Sequence, residues 1–512
     1  MDYPVKTDSL YVCKTIFEET SEQTVDADFA LPDYCPDIQK ILKCQIEPHI
    51  ESKNIIGDRI EIDGISIVRI IYIDSIKTSV RCTEQSYPFS ITSNLKDTPQ
   101  FAVIQTDIKV NYLNCRALSP RRLNIHGAFN VGIKVIDRCE QQTCTNIIGD
   151  DVQQKKLSVD YSYLQGIAQQ QFAIAETLET GQNHPAIQSV IRSDIRAVCS
   201  DCKPIANKIM YKGDLLIKLM YLSDLDSGKV ETMEYTIPFS QVIDINGATE
   251  KSLCAVRTEI LNYTVALKSE IGFDDPVPVL TAKLCVTAFA YEERDTTVIT
   301  DCYSTKYFIE PTSSSCSLPM LRSNIKENII DKATVDFTDT SLSRVIDVWC
   351  EKGNVVCNAA DDKAVINGKY NICVLAVDTS GNVIYTERST EYKHPLQTQL
   401  NNMPIKSFVL PECISVGFRF SSEKRVEVRT ELLVTGELYE MTSVNGINCA
   451  KADDSKPRRR DDSSSLVLYF ADEGEDVWDI ARDYCTSVSQ VRQENDLSED
   501  VLPCKKMLMI PV

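Results

Sequence analysis

Three glycines, Gly64, Gly213 and Gly368, each open an apolar run that ends in aspartate: "GISIVRIIYID" to Asp74, "GDLLIKLMYLSD" to Asp224 and "GKYNICVLAVD" to Asp378. Positions four and six after each glycine are apolar in all three copies: Val68 and Ile70, Ile217 and Leu219, Ile372 and Val374. Residues between and beside them are often apolar too, among them Ile67, Ile71, Leu216, Met220, Cys373 and Leu375. Such a run predicts a strand buried on both faces. "DLDSGK" (Asp224 to Lys229) and "DTSGN" (Asp378 to Asn382) then read as hairpin loops. The next segments, "TSVRCTEQSYPF" and "VIYTERSTEYKHPL", alternate like paired strands. A further strand signal comes late in each copy: "RRLNIHGAFNVGIKVI", "VLTAKLCVTAFAY" and "KRVEVRTELLVTGELY".

These runs belong to a longer repeat. "PDIQKIL" from Pro36, "PAIQSVI" from Pro185 and "TSLSRVI" from Thr340 align without gaps, and each precedes its glycine by 28 residues. The glycines are spaced 149 and 155 residues apart, and a prolyl dipeptide recurs as Pro88-Phe89, Pro238-Phe239 and Pro395-Leu396. A repeat of this length is one structural unit copied along the chain. The apolar spacing of "PDIQKIL" fits either a helical turn or an irregular strand. The expected fold is mainly β, with one β-sandwich-like unit per repeat.

After Tyr439 the pattern changes. Ala450 to Ser465, "AKADDSKPRRRDDSSS", is short of apolar residues and dense in charge, which predicts a flexible linker. Its basic run, Lys456 to Arg460, is offset by Asp453, Asp454, Asp461 and Asp462. The last 47 residues then read as strand ("LVLYF", Leu466 to Phe470), helix, helix and strand ("MLMIP", Met507 to Pro511). Val477, Ile480, Ala481 and Tyr484 share one helical face, and Asp476 stands at the capping position before it. Ser487-Val488-Ser489-Gln490 fits a capping box for the second helix.

Composition narrows the function. The chain has 512 residues, with 54 Lys and Arg against 74 Asp and Glu, for a net charge of −20. That balance argues against nucleic acid as a partner. The longest stretch without Asp, Glu, Lys or Arg, Tyr161 to Ala175, holds four glutamines and is too short to span a bilayer. The opening residues, "MDYPVKTD", lack an apolar signal core, so the expectation is a soluble cytosolic protein with reduced thiols. Its 20 cysteines are scattered from Cys13 to Cys504 without a regular framework.

No catalytic constellation is legible: there is no P-loop, G-x-S-x-G, H-E-x-x-H or EF-hand loop. His49, His126, His184 and His394 share no offset within the repeats, and Cys199-x-x-Cys202 lacks the further ligands zinc requires. The chain reads as a non-enzyme with no cofactor and no metal.

Two resemblances sharpen this. Gly474-Glu475-Asp476-Val477-Trp478, Ile480-Ala481, Tyr484, Asn495, Pro503 and Leu508-Met509-Ile510-Pro511 resemble the motif residues of a LysM domain. The resemblance implies a small α+β (βααβ) fold. It also implies binding through the loop after the first strand (Glu473 to Val477) and the loop after the second helix (Asn495 to Ser498). LysM modules usually hold N-acetylglucosamine polymers there. In this chain Asp476 replaces the usual small polar residue, Cys504 replaces a glycine, and Glu473 and Glu475 load the groove with charge. A protein partner is therefore expected, met by Glu473, Gly474, Glu475, Asp476, Val477, Trp478, Asn495, Asp496, Leu497 and Ser498.

The stretch "ADFALPDYCPDIQKILKCQIEP" is similar to the opening of SPOCS domains, with Leu31-Pro32, Pro36-Asp37-Ile38 and the downstream run Ile62 to Tyr72. In the second and third copies Asp37 becomes Ala186 and Ser341. The expected organisation is three tandem SPOCS-like repeats (1–150, 151–305, 306–449), a linker (450–465) and a LysM domain (466–512). SPOCS repeats followed by one LysM resemble spore-coat morphogenetic proteins. That implies a scaffold in the mother-cell cytosol at the forespore surface, whose LysM domain engages a SpoIVA-like coat ATPase. Two rivals stand beside it: a wall-associated protein that binds peptidoglycan glycan, and a self-assembling coat or exosporium subunit.

Overall fold

A computed structural model describes residues 2–179, 184–225, 228–269, 276–338, 340–458 and 466–511. Part of the "DLDSGK" loop and the linker residues 459–465 lie outside the described residues. Six antiparallel strands make up the first repeat: β1 (Val5–Ala30), β2 (Ile38–Ile56), β3 (Arg59–Asp74), β4 (Val80–Asn94), β5 (Val103–Ser119) and β6 (Arg122–Ile147). The second runs β7 (Val152–Thr177), β8 (Ser189–Ile205), β9 (Lys208–Asp224), β10 (Lys229–Asp244), β11 (Leu253–Lys268) and β12 (Val277–Ser304). The third runs β13 (Tyr307–Asp336), β14 (Leu342–Ala360), β15 (Lys363–Asp378), β16 (Val383–Gln399), β17 (Ile405–Ser422) and β18 (Arg425–Pro457). Each repeat splits into two three-stranded sheets, ordered β1-β6-β5 and β2-β3-β4 in the first and likewise in the others. The sheets face each other across one core, where Val25, Phe29 and Phe129 meet Ile50, Ile62, Val68 and Ile70. The chain is mainly β, in sandwich-like repeats as the alternation predicts.

The repeat glycine stands in the third strand of the repeat, the middle strand of its meander, for a steric reason. Gly64 pairs with Phe89, Gly213 with Phe239 and Gly368 with Tyr392. A Cβ at any of the three would strike the ring of its partner, and at Gly64 also the His49 carbonyl oxygen. The third copy corrects the sequence alignment. Tyr392, not the Pro395-Leu396 dipeptide, occupies the position of Phe89, and Pro395 instead pairs with Val365. The "PDIQKIL" segments are strand starts. Bulges at Ile38/Lys40 and Ile41/Lys43, and at matching places in β8 and β14, displace apolar residues from strict alternation and gave the ambiguous spacing. The aspartates closing the first and third runs make Asx turns: Asp74 accepts from the N–H groups of Ile76 and Lys77, and Asp378 from those of Ser380 and Asn382.

The both-faces burial read from β3, β9 and β15 has two sources. Positions four and six fill the sandwich cores. The opposite face carries Ile71, Met220 and Leu375, each seven residues after its glycine, and these converge in one cluster with Ile73, Leu222, Cys373 and Trp349. That cluster lies between the repeats. Charged residues share the junction in paired form: Lys218 meets Asp347 at 2.6 Å, and Arg69 meets Glu47 at 2.8 Å and Glu84 at 2.5 Å.

The outer strands join the repeats a second time. Beyond Ile136, β6 is paired with β1 alone, as a two-stranded ribbon, and the other repeats extend equivalent ribbons. The three ribbons pack together through Leu10, Val12, Val159, Tyr161, Val298, Leu318 and Val444. Ile136, Tyr291 and Tyr439, from the same stretch of the sixth strand of each repeat, meet in a neighbouring cluster. β18 runs on to Pro457, eight residues into the stretch expected to be linker. Its pairing with β13 buries Ala450 and Ala452 in an inter-repeat core, so the strand is ordered by tertiary packing despite its polar composition.

Two outcomes follow from this packing. Gly64→Ala and Gly213→Ala should each lower stability by about 2 kcal/mol through overpacking. Gly417→Ala, where a Cβ meets nothing within 4 Å, should be near neutral. Urea titrations of the three variants check this, and equal stabilities would refute it. The second concerns His49, buried at the junction of the first two repeats, where its Nδ1 accepts the Tyr263 N–H at 3.3 Å. Burial, helped by the Arg69 charge, pushes its imidazole down to about 4. Between that value and the unfolded value near 6.5 the unfolded chain holds a proton the folded chain lacks, so stability is lost as pH is lowered through that window. The loss reaches about 3 kcal/mol. His49→Asn keeps an acceptor for Tyr263 and should flatten the dependence; parallel curves for both proteins would contradict this.

Candidate partner-binding site

The C-terminal segment folds as β19 (Val467–Ala471), α1 (Val477–Asp483), α2 (Val488–Asn495) and β20 (Lys506–Ile510), with β19 and β20 antiparallel. Both predicted caps are present. Asp476 accepts the Trp478 N–H at 2.8 Å, and Ser487 and Gln490 form the reciprocal capping box. Val477, Ile480, Ala481 and Val491 from the helices close a core against Leu508 and Ile510 from the sheet.

The ten residues expected to meet a partner divide by what they already touch. Val477 is fully buried in that core. Trp478 faces the second repeat, where its Nε1 donates to Asp301 at 2.7 Å and its ring stands edge-on to Tyr303 at 4.9 Å. Arg482 also reaches Asp301, at 2.9 Å, and the Tyr303 hydroxyl donates to the Thr486 carbonyl at 2.8 Å. Asp476 pairs with Lys155 of β7 at 2.6 Å. Burial works against its charge, yet Lys155 and the Trp478 N–H hold its carboxyl below the usual carboxylate range. The first loop is thus partly spent on docking the module to the body of the protein.

The remainder form a rim. Glu473 is exposed, and Gly474 takes φ +89°, a conformation that favours glycine and lets its N–H reach the Leu502 carbonyl. One oxygen of Glu475 accepts from the Tyr469 hydroxyl at 3.2 Å; the other is buried and has no hydrogen-bond partner among the described residues. Asn495 is a bracket: its side chain donates to the Val491 and Met509 carbonyls and accepts the Met509 N–H. Asp496 caps α2 in the left-handed region, Leu497 packs on the core, and the Ser498 carbonyl accepts from Arg492. The two loops are neighbours, since Asp476 bridges to Val501 and the Val477 N–H reaches the Asp500 carbonyl.

A second surface escaped the sequence reading. Leu468, Phe470, Met507 and Met509 point away from the core, 42–76% exposed, and pair across the sheet as Leu468 with Met509 and Phe470 with Met507. Its signal was available: "LVLYF" and "MLMI" are apolar at every position, so each strand has an apolar side chain left over for its outer face. Elsewhere, Glu351, Cys373 and Glu387 bring three ligand-type atoms together among the described residues. Lys43 already neutralises both carboxylates, at 3.2 and 2.9 Å, which marks an inter-repeat ion cluster.

Among the described residues no helix is long and apolar enough to cross a membrane. No curated protein and no solved structure matches the chain. Residues 37–118 and 186–268 match the family model described as SipL, SPOCS domain. The matched segments correspond to β2–β5 and β8–β11, leaving out the long first and sixth strands that carry the inter-repeat ribbons. The chain thus carries SipL-like SPOCS domains in its first two repeats, within a strand framework its third repeat shares.

Proposed function

We infer that this sporulation-related chain is a non-enzymatic scaffold of the spore envelope. Its C-terminal module is a LysM-type domain that binds a coat protein, a SpoIVA-like ATPase, at the forespore surface in the mother-cell cytosol. The SPOCS repeats form the body that presents the module. The observation that carries this reading is the outer face of β19 and β20. Four large apolar side chains stand there in contact with solvent, and contiguous apolar patches of this kind suit a protein partner. Neutral sugars require convergent polar donors and acceptors, and those of Asn495 are committed to the module's own backbone. Glu473 and Glu475 add negative charge to the first loop, where charge would steer association and make it salt-sensitive. Glycan binding and self-assembly are the rival functions.

The test uses the full chain. Phe470→Glu with Met507→Glu should leave the circular dichroism melt within a few degrees of native, since both side chains are exposed, and abolish capture of the coat ATPase. Native-level capture would refute the assignment of the face. Glu473→Lys with Glu475→Lys should weaken capture chiefly at low salt. Co-sedimentation with purified peptidoglycan, or filaments that grow with concentration, would favour the rivals.

A separate outcome concerns the docking of the module. Asp301→Ala removes the acceptor shared by Trp478 and Arg482 and should loosen the module from the second repeat without unfolding it. The expected readout is a red-shifted tryptophan emission and faster proteolysis between residues 458 and 466, with the main melt retained. Trp478→Ala should in addition destabilise the module by about 3–5 kcal/mol. Unchanged emission and proteolysis in Asp301→Ala would show that this contact does not hold the module.

A further inference from the structure

The two sheets of each sandwich are not paired by a backbone ladder. At one edge the second and fifth strands of the repeat, β2 with β5, β8 with β11 and β14 with β17, lie against each other through side chains alone. In every repeat that gap holds two cysteines, one on each sheet, packed on the same core: Cys44 and Cys115, Cys202 and Cys254, Cys350 and Cys413. All six are free thiols.

The pairs are not one position copied three times. Cys44 stands opposite Ile70, six residues after its repeat glycine; Cys202 opposite Tyr211, two before; Cys350 opposite Ile372, four after. Each repeat therefore places its own pair at its own height in the same gap. Metal binding does not explain them. Two thiolates fall short of a structural zinc set, and among the described residues the one group of three convergent ligand atoms lies elsewhere.

We propose that Cys44–Cys115, Cys202–Cys254 and Cys350–Cys413 are disulfide-forming sites, through which a small-molecule disulfide staples the two sheets of each SPOCS sandwich. The chemistry is thiol–disulfide exchange. Within each pair the neighbouring S–H bonds to the other sulfur, which lowers the pKa of Cys115, Cys254 and Cys413 and raises that of Cys44, Cys202 and Cys350. The more acidic thiol loses its proton to solvent, and its thiolate attacks one sulfur of the oxidant, forming a mixed disulfide and expelling one small thiolate. The partner cysteine then gives up its proton and attacks the protein sulfur of the mixed disulfide, expelling the second. The protein loses two protons and two electrons per pair, and the oxidant is reduced to two thiols. The sulfurs need only close to about 2 Å. The links join residues 71, 52 and 63 positions apart, so each constrains a long stretch of the unfolded chain. The first two pairs are half-buried and the third is buried, so the third should close last.

The test takes the reduced full-length chain, adds oxidised glutathione, blocks remaining thiols with iodoacetamide and maps cross-linked peptides without reduction. The expected result is three intrachain links at these pairs, formed in a monomer, and a melting midpoint raised by several degrees and restored by dithiothreitol. Cys44→Ser, Cys202→Ser and Cys350→Ser should each lose one link and keep two; a variant that fails to fold is replaced by the alanine variant of its partner cysteine. The proposal is overturned if the six thiols stay alkylated while exposed Cys504 is oxidised. Links that scatter among other cysteines or join separate chains would overturn it too.

Discussion

Each sandwich leaves the outer face of its β3-type strand apolar, and the architecture depends on covering that face. A three-stranded sheet has two faces, and its partner sheet covers only one. Ile71 and Ile73, Met220 and Leu222, and Leu375 point away from their own cores and would meet water in an isolated repeat. Fully burying a side chain of this size is worth about 1.5–3 kcal/mol. Assembling three repeats around the faces stabilises all of them together, and a single repeat cut from the chain would expose a strip its own fold cannot cover. The ribbons of β1 with β6, β7 with β12 and β13 with β18 repeat the solution on the other sheet, with Ile136, Tyr291 and Tyr439 as their meeting point.

Apolar contact alone would tolerate the repeats sliding past one another; the charged residues at the junction fix the register. Arg257 of the second repeat donates to Glu437 of the third at 2.9 and 2.7 Å and to Gln105 of the first at 2.5 Å, flanked by the rings of Phe408 and Phe289. Lys53 meets Glu259 at 2.5 Å with its side chain fully covered. Pairs of this kind add little net stability over apolar substitutes, but each leaves a buried charge stranded if the partner is misplaced. They therefore penalise alternative arrangements more than they strengthen the native one.

What was legible in the sequence follows from this. Burial of β3, β9 and β15 on both faces, the strand character of the repeats, and the Asp476 and Ser487 caps are encoded within a few residues of one another, and pattern alone exposes them. Whatever requires distant residues was hidden. Tyr392 replaces Phe89 only after the strands are paired, because loop and bulge lengths differ between copies. Ala450 to Pro457 looks like linker by composition and becomes a strand edge because β13 waits to pair with it. The acceptor of Trp478 is Asp301, 177 residues away, on a strand whose local pattern says nothing about it. The apolar face of β19 and β20 was written in plain sight but resembled core, since a sequence does not show which side of a strand a second layer will cover.

The docked module illustrates how these parts combine. Its helices form one layer and its sheet the other, and the contacts to the second repeat come from the helix side: Asp476, Trp478, Arg482 and Thr486. The inner face of β19 and β20 packs on those helices, so the outer face with Phe470 and Met507 points away from that layer. Anchoring through α1 thus leaves the apolar face accessible while limiting how far the module can turn. A partner that engages the face meets a surface already oriented by a three-repeat body, and less rotational freedom is lost on binding than for a module on a free tether. The same anchor explains why Trp478 is large, buried and hydrogen-bonded at once. It belongs to the module's core, and its indole N–H is the point at which that core is joined to the repeats.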